Sequence, residues 1–161
     1  FRYRNTTAES LTLAAQLLES GGDIVEVCEE VYQRKPLPGV RLLGKCLDHM
    51  VLENEDKLAH SVLRASDFAQ TGAKEENTEG LVNELLFIRT VKIATVIRQP
   101  EEGKLVRASI RSRGQYDVAN AVRPFGGGGH RNAAGCTFEC DIDEATRLLM
   151  EALRQCLASS S

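Results

Sequence analysis

Residues 123–135 read Arg-Pro-Phe-Gly-Gly-Gly-Gly-His-Arg-Asn-Ala-Ala-Gly, and the four consecutive glycines constrain the structure here more than in any other stretch. Each glycine weakens a helix or strand by about 0.5–1 kcal/mol relative to alanine, so the run favours a loop. Its bare backbone can adopt positive φ, lie against a ligand and form a concave nest of N–H groups for anionic oxygens. The stretch predicts an anion-binding loop at Gly126, Gly127, Gly128 and Gly129, with His130 as a hydrogen-bond donor at its rim.

The segment before this loop supplies cations. Residues 105–111 alternate between polar and apolar side chains, which indicates a strand. Arg111 is the first candidate for a phosphate or base contact, because its planar guanidinium can hold two oxygens in parallel. Arg113 is the second, since alternation predicts that it shares a face with Arg111. For both, the alternative is a solvated charge at the end of a strand.

Two serines and a helix start complete the predicted site. Ser109 and Ser112 offer hydroxyl donors beside the arginines. If the strand after the glycines lies next to this one, the strand end, the helix beginning at Asp117 and the glycine loop converge, as ligand sites of α/β sheets do. His130 could instead only cap the loop. The absence of Lys-Ser or Lys-Thr after the glycines argues against a P-loop.

At these residues the chain resembles the DHHA1 domain of DHH-type phosphoesterases, and within that family the bacterial oligoribonuclease and 3′-phosphoadenosine 5′-phosphate phosphatase enzymes. The resemblance rests on Gly-Gly-Gly-Gly-His-x-x-Ala-Ala-Gly at 126–135, on Ser-x-Arg-Ser at 109–112 and on the start at 1–7. It implies an α/β fold, in which a mixed β-sheet with flanking helices follows a helical hairpin left from the DHH domain. The implied divisions are that remnant at 1–35, a linker helix at 36–50 and the substrate-binding domain at 51–161.

The resemblance also implies that substrate binding and catalysis belong to different domains. In the family, the DHH domain holds manganese ions that activate water, and its Asp-His-His motif is not present here: Asp48-His49 is followed by Met50. This chain would bind short oligonucleotides or nucleotide phosphates and be inactive alone, while a DHH domain in the same polypeptide supplies Mn²⁺. A homodimer stays possible. The alternative is a tRNA-binding and dimerisation module like the C-terminal domain of alanyl-tRNA synthetases.

The net charge, the cysteines and the lengths of the apolar runs argue against several classes of protein. A net charge of −3 argues against broad binding to long nucleic acid, which needs many cationic contacts to phosphates. The five cysteines are odd in number and lack Cys-x-x-Cys spacing, which favours reduced thiols in the cytoplasm, with Cys136 and Cys140 packed in the core. No apolar run is long enough to span a membrane. Because family-like sequence begins at Phe1, we expect the chain to be part of a longer protein.

Hydrophobic periodicity and capping residues predict the remaining elements. Two helices begin at Thr6, in a capping box with Glu9, and at Asp23. The later elements are expected to be a helix at 40–47, a hairpin at 50–63, helices at 66–70 and 78–87, a hairpin at 91–111, a helix at 118–122, a strand at 135–139 and a last helix capped by Asp143.

Overall fold

The structure, a computed structural model, describes residues 6–103 and 105–159. The chain divides into two compact units, Phe1–Pro36 and Leu37–Ser161. Most of the family-like stretch at the start, residues 1–5, lies outside the described residues.

The first unit contains helix α1, Ala8–Glu19, and helix α2, Ile24–Cys28, which continues as a π-helical turn to Gln33. Asp23 caps α2, as predicted. Thr7, not Thr6, caps α1, because the reciprocal bonds of the capping box form with the Ser10 backbone and hydroxyl. None of the residues of these helices is buried, so their apolar side chains are left exposed.

The second unit is built on a six-stranded sheet in the order β1-β2-β3-β4-β6-β5. Strands β2 and β3 run parallel, and the other neighbours run antiparallel. The predicted mixed sheet with flanking helices is confirmed. The strands are β1 (Val51–Glu53), β2 (Leu58–Leu63), β3 (Ile93–Arg98), β4 (Val106–Ser112), β5 (Gly128–His130) and β6 (Ala133–Phe138), and the helices are α3 (Leu37–Asp48), α4 (Ala65–Thr71), α5 (Leu81–Leu86), α6 (Val118–Val122) and α7 (Ile142–Ala158).

Helices cover the two faces of this sheet unequally. On one face, Ile93, Ile110 and Phe138 pack with residues of α6 and α7 in a continuous core. On the other, Ala94 and Val96 pack with residues of α3, α4 and α5; of these helices, α3 and α5 lie over β2 and β3, and α5 also reaches part of β4. The residues that β4, β5 and β6 turn to this second face are not buried. We call them the open face: Arg107, Ser109, Arg111, Gly128, His130, Ala133, Gly135 and Thr137.

The second half of the glycine run forms a strand, which corrects the expectation of a loop. Gly128, Gly129 and His130 pair with β6 across a tight hairpin. A Cβ on Gly129 would lie 2.4 Å from the Ala133 carbonyl oxygen, so only glycine allows the two strands to approach this closely. Pairing with a neighbouring strand therefore outweighs the weak intrinsic strand preference of glycine.

Two helix starts also differ from the predictions. Gly80 adopts φ +82° and directly precedes α5, so a short 3-10 turn at Glu75–Thr78 and α5 replace one continuous helix over 78–87. Asp141, not Asp143, caps α7, and its carboxylate accepts the backbone N–H groups of Asp143 and Glu144. Among the described residues, no helix combines the length and the apolar character needed to cross a bilayer.

Candidate anion-binding site

Arg111 and His130 lie in one row across the sheet. Arg111 pairs with Ala133 of β6, and Ala133 pairs with His130 of β5. Side chains of directly paired residues project to the same face, so the guanidinium and the imidazole share the open face. Their backbones are two strand spacings apart, about 10 Å. The small side chain of Ala133 between them leaves room for a ligand to reach both.

A second row beside the first is almost free of side chains. Ser109 pairs with Gly135, and Gly135 pairs with Gly128. The hydroxyl of Ser109 lies 2.9 Å from Nη1 of Arg98 and accepts a hydrogen bond from it. The two glycines therefore form a floor of bare backbone between this hydroxyl and the outer edge of the sheet.

The fold itself requires three of the four consecutive glycines. Gly126 has φ +68° and ends a short 3-10 turn, while a Cβ on Gly127 would lie 2.6 Å from Cβ of Cys136. Gly129 is required by its close approach to Ala133. A Cβ on Gly128 would meet no atom within 4 Å and would point over the open face, since this residue pairs with Gly135. No described residue lies close enough to require glycine at 128, whereas a ligand lying against the backbone would require it.

The predicted nest of amides is only partly available. The N–H of Gly126 donates to the carbonyl of Arg123, and that of Gly127 donates to the carbonyl of Val122. Strand β5, however, is the edge of the sheet, and an edge strand turns part of its backbone N–H and C=O groups outward. The backbone N–H groups that could still donate to a ligand are therefore those of β5, not those of the turn before it.

Ser112 does not share the open face with Arg111, and Arg113 lies outside the strand. Ser112 faces the helix-covered core and is buried; its hydroxyl donates to the Tyr116 carbonyl and accepts from the Asn132 amide. Arg113 lies one residue beyond the end of β4 and is exposed. Its backbone N–H donates to the Lys92 carbonyl, next to the start of β3.

The start of α6 also does not open onto the site. The backbone N–H of Val118 donates to the Arg131 carbonyl, and that of Asn120 donates to the Asp117 carboxylate. The first of these bonds fastens the helix to the β5–β6 hairpin, and the second is the N-cap of the helix itself. The predicted contribution of the helix start to an anion pocket is therefore absent in this part of the described chain.

Two further arginines were missed by the sequence predictions. Arg98 on β3 and Arg107 on β4 are directly paired and lie on the same side of the sheet as Ser109. Glu75 bridges them: its carboxylate lies 3.6 Å from Nε of Arg98 and bonds Nη1 of Arg107. Burial lowers the pKa of Arg98, and the charge of Glu75 offsets part of that effect. Arg107, Ser109 and Arg111 are two residues apart along β4, and this spacing could have predicted that Arg107 shares their face. No sequence pattern near Glu75 predicts that it contacts these arginines.

The described residues do not fit a manganese ion. They contain no group of three or more His, Cys, Asp or Glu side chains placed to hold a metal. Burial raises the pKa of Cys136 to about 11, so this thiol stays protonated and packs in the core, while Cys140 packs against it. His49 lies against the Val62 carbonyl and Asp67, which is a structural role.

The chain is an α/β domain with a mixed sheet, and the uncovered half of that sheet carries arginine, serine and histidine beside bare glycine backbone. Residues 55–159 match the family model of the DHHA1 domain. The chain belongs to the DHHA1 domain family, and the resemblance predicted from the sequence is confirmed.

Individual relatives agree with this assignment. The chain is 32% identical over 156 residues to the bifunctional oligoribonuclease and PAP phosphatase NrnA of Thermus thermophilus, covering 96% of this chain and 46% of the relative. It is 26% identical over 156 residues to NrnA of Bacillus subtilis, covering 97% and 48%. An exopolyphosphatase-related protein from Bacteroides fragilis has a similar structure, with a TM-score of 0.87, 27% identity and coverage of 96% of this chain and 45% of that one. The chain thus spans slightly less than half the length of these relatives.

Proposed function

We propose that this chain is the substrate-binding domain of a manganese-dependent DHH phosphoesterase that hydrolyses short oligoribonucleotides or 3′-phosphoadenosine 5′-phosphate. The observation that carries the proposal is the shared row of Arg111 and His130 beside the bare backbone of Gly128 and Gly135 on an unburied face. The names of the relatives, oligoribonuclease and PAP phosphatase, support this substrate class.

The chemistry of the open face suits a phosphate held at the end of a nucleotide. The guanidinium of Arg111 offers two parallel donors to phosphate oxygens, and such charge-assisted hydrogen bonds are about twice as strong as neutral ones. His130 is exposed on β5, where its ring can donate to a second oxygen. Ser109 adds a hydroxyl, and outward N–H groups of β5 complete the shell. We assign these groups to holding the substrate, and we assign its cleavage to another domain.

Catalysis would come from a DHH domain in the same polypeptide, which would supply the Mn²⁺ site. The relatives are more than twice as long as the matched segment. Helices α1 and α2 support the proposal, because they bury none of their residues and leave Leu17 and Val25 60% and 63% exposed. Apolar helix faces normally pack against other elements. A DHH domain is the occupant we propose for them.

Isothermal titration of this 161-residue chain tests the proposal. We expect 3′-phosphoadenosine 5′-phosphate and 5′-phosphorylated dinucleotides to bind, adenosine to bind far more weakly, and none of them to be hydrolysed with Mn²⁺ present. Equal affinity for adenosine and its phosphates would contradict a phosphate site. Hydrolysis by the purified chain would contradict the proposal that catalysis requires a separate DHH domain.

The alternative is a tRNA-binding module of the alanyl-tRNA synthetase type. It is less well supported, because the relatives from Thermus thermophilus and Bacillus subtilis are named oligoribonuclease and PAP phosphatase. The two functions separate in a competition experiment. Folded tRNA would displace a labelled dinucleotide at low concentration only if the alternative is correct.

Glu75→Gln is expected to strengthen nucleotide binding about two- to fivefold, because it removes a negative charge that neutralises Arg98 and Arg107 beside the site. The gain should shrink at high salt, where exposed charges are screened. Titration at low and high ionic strength measures it. Glu151→Gln, at an exposed position of α7, which packs on the opposite face of the sheet, is the matched control and should leave the affinity unchanged. Weaker binding by Glu75→Gln would show that Glu75 positions the arginines for the ligand.

A further inference from the structure

Arg98 and Arg107 form a second cationic group on the side of the sheet that carries the open face. The two residues are directly paired across β3 and β4. The side chain of Arg98 is only 15% exposed, and a buried charge is costly unless its donors are satisfied. Nε of Arg98 nevertheless has no hydrogen-bond partner among the described residues. The fold therefore keeps a buried cation with one donor unused.

The carboxylate of Glu75 lies where an external anion would lie between these two cations. One of its oxygens is 3.6 Å from Nε of Arg98, beyond hydrogen-bond distance, and the other accepts a hydrogen bond from Nη1 of Arg107. The side chain of Glu75 is 38% exposed and belongs to a short 3-10 turn that buries none of its residues. This carboxylate can therefore rotate into solvent without disturbing the core.

A ligand can reach this group from solvent. The side chain of Arg107 is 46% exposed. Together with Glu75 it lines a groove of about 190 Å³, whose other walls are Pro100, Glu101 and Leu105. An anion that enters the groove meets Arg107 first and then Nε of Arg98, once Glu75 has moved aside.

Ser109 connects this group to Arg111. Its hydroxyl accepts a hydrogen bond from Nη1 of Arg98 and keeps its own proton for donation to a ligand. Along β4, Ser109 is two residues from Arg111, about 7 Å, and Arg107 is four residues from it, about 13 Å. Arginine side chains are long enough to cover much of this distance. One ligand that carries two phosphates can therefore contact Arg111 and the Arg98–Arg107 pair together.

We propose that Arg98, Arg107 and Ser109 form a second phosphate subsite, which the carboxylate of Glu75 occupies until a substrate displaces it. This inference rests on the proposed function. The two substrates named there, 3′-phosphoadenosine 5′-phosphate and a 5′-phosphorylated oligoribonucleotide, share one chemical unit: a ribose with a phosphate on its 3′ oxygen and another on its 5′ oxygen. Two phosphate positions on one face recognise that unit. Displacement of Glu75 makes the second position selective against nucleotides with a single phosphate.

Isothermal titration with 3′-phosphoadenosine 5′-phosphate, adenosine 5′-phosphate and adenosine 3′-phosphate tests the subsite. We expect the bisphosphate to bind at least about tenfold more tightly than either monophosphate. Arg107→Ala should weaken the bisphosphate about three- to tenfold and change either monophosphate less than about twofold. Circular dichroism checks that the variant folds. Arg147→Ala, which removes an exposed charge from α7 on the opposite face of the sheet, is the matched control and should leave all the affinities unchanged.

The possible results separate the subsite from the proposed function. Equal losses for all the ligands in Arg107→Ala would indicate a general effect of charge and overturn the subsite. Equal wild-type affinity for the bisphosphate and the monophosphates, all lost in Arg111→Ala, would also overturn it, while the proposed function would stand with one phosphate position. If none of the ligands bound, both the subsite and the proposed function would be overturned.

A double-mutant cycle tests the displacement of Glu75. Glu75→Gln should strengthen binding of the bisphosphate more than that of either monophosphate, because only the bisphosphate must displace the carboxylate. This gain should shrink when Arg107 is also replaced by alanine. A gain that is the same for all the ligands, with or without Arg107, would overturn the role of Glu75 as a displaceable occupant.

Discussion

Gly129→Ala is expected to lower the free energy of unfolding by about 3–5 kcal/mol, from backbone strain and overpacking together. The new Cβ would lie 2.4 Å from the Ala133 carbonyl oxygen and 2.8 Å from Cα of Ala134, and backbone atoms of a paired strand cannot move aside as a flexible side chain can. The residue also has φ +140°, a conformation that alanine rarely adopts. Equilibrium denaturation in urea measures the loss.

Gly128→Ala is the matched control, one residue away in the same strand. Its Cβ would meet nothing within 4 Å, so the free energy of unfolding should change by less than about 1 kcal/mol. Its methyl group would stand over the open face, so nucleotide affinity should fall although the protein remains folded. Equal destabilisation by the two substitutions would mean that β5 and β6 do not pair in this register.

Arg111→Ala is expected to weaken binding of 3′-phosphoadenosine 5′-phosphate by about 10- to 150-fold, which corresponds to about 1.5–3 kcal/mol for hydrogen bonds to a charged group. Its guanidinium lies on the open face, and the hydrogen bond it makes within the chain is to the neighbouring Ile110 carbonyl. Arg111→Lys should recover only part of the affinity, because an ammonium lacks the planar fork. Isothermal titration measures both variants.

Arg113→Ala serves as the control for Arg111→Ala. Both substitutions remove one positive charge, but Arg113 lies beyond the end of β4. We expect its affinity to change less than about threefold, the size of a general electrostatic effect. If Arg113→Ala produced the larger loss, the ligand would lie at the turn after β4 and not over the sheet.

The local elements of the fold could be predicted because their causes are local. Alternation of apolar side chains identifies the β3–β4 hairpin, and the Asp117 carboxylate identifies the start of α6. The strand at Gly128–His130 could not be predicted, because its stability comes from pairing with β6. The sequence pattern of residues 128–130 alone does not predict which strand they pair with.

The kinds of side chain in the candidate site could be predicted from the sequence, but not all of the individual residues that form it. Arg111 and His130 follow from residue type beside a glycine run, and the register then places them on one face. Ser112 was wrongly grouped with that face, although strict alternation from Arg111 already points it to the other side. Glu75 is distant in sequence from Arg107 and meets it only because the sheet and the 3-10 turn pack together, which no sequence pattern encodes.

We propose that the uncovered half of the sheet binds a nucleotide through its phosphate. A heteronuclear NMR titration of the chain with 3′-phosphoadenosine 5′-phosphate tests it most directly. We expect small shift changes at the core-facing Ser112 and the largest changes at Ser109, Arg111, Gly128, His130 and Gly135. Shifts concentrated on α7, or none at millimolar nucleotide, would contradict it.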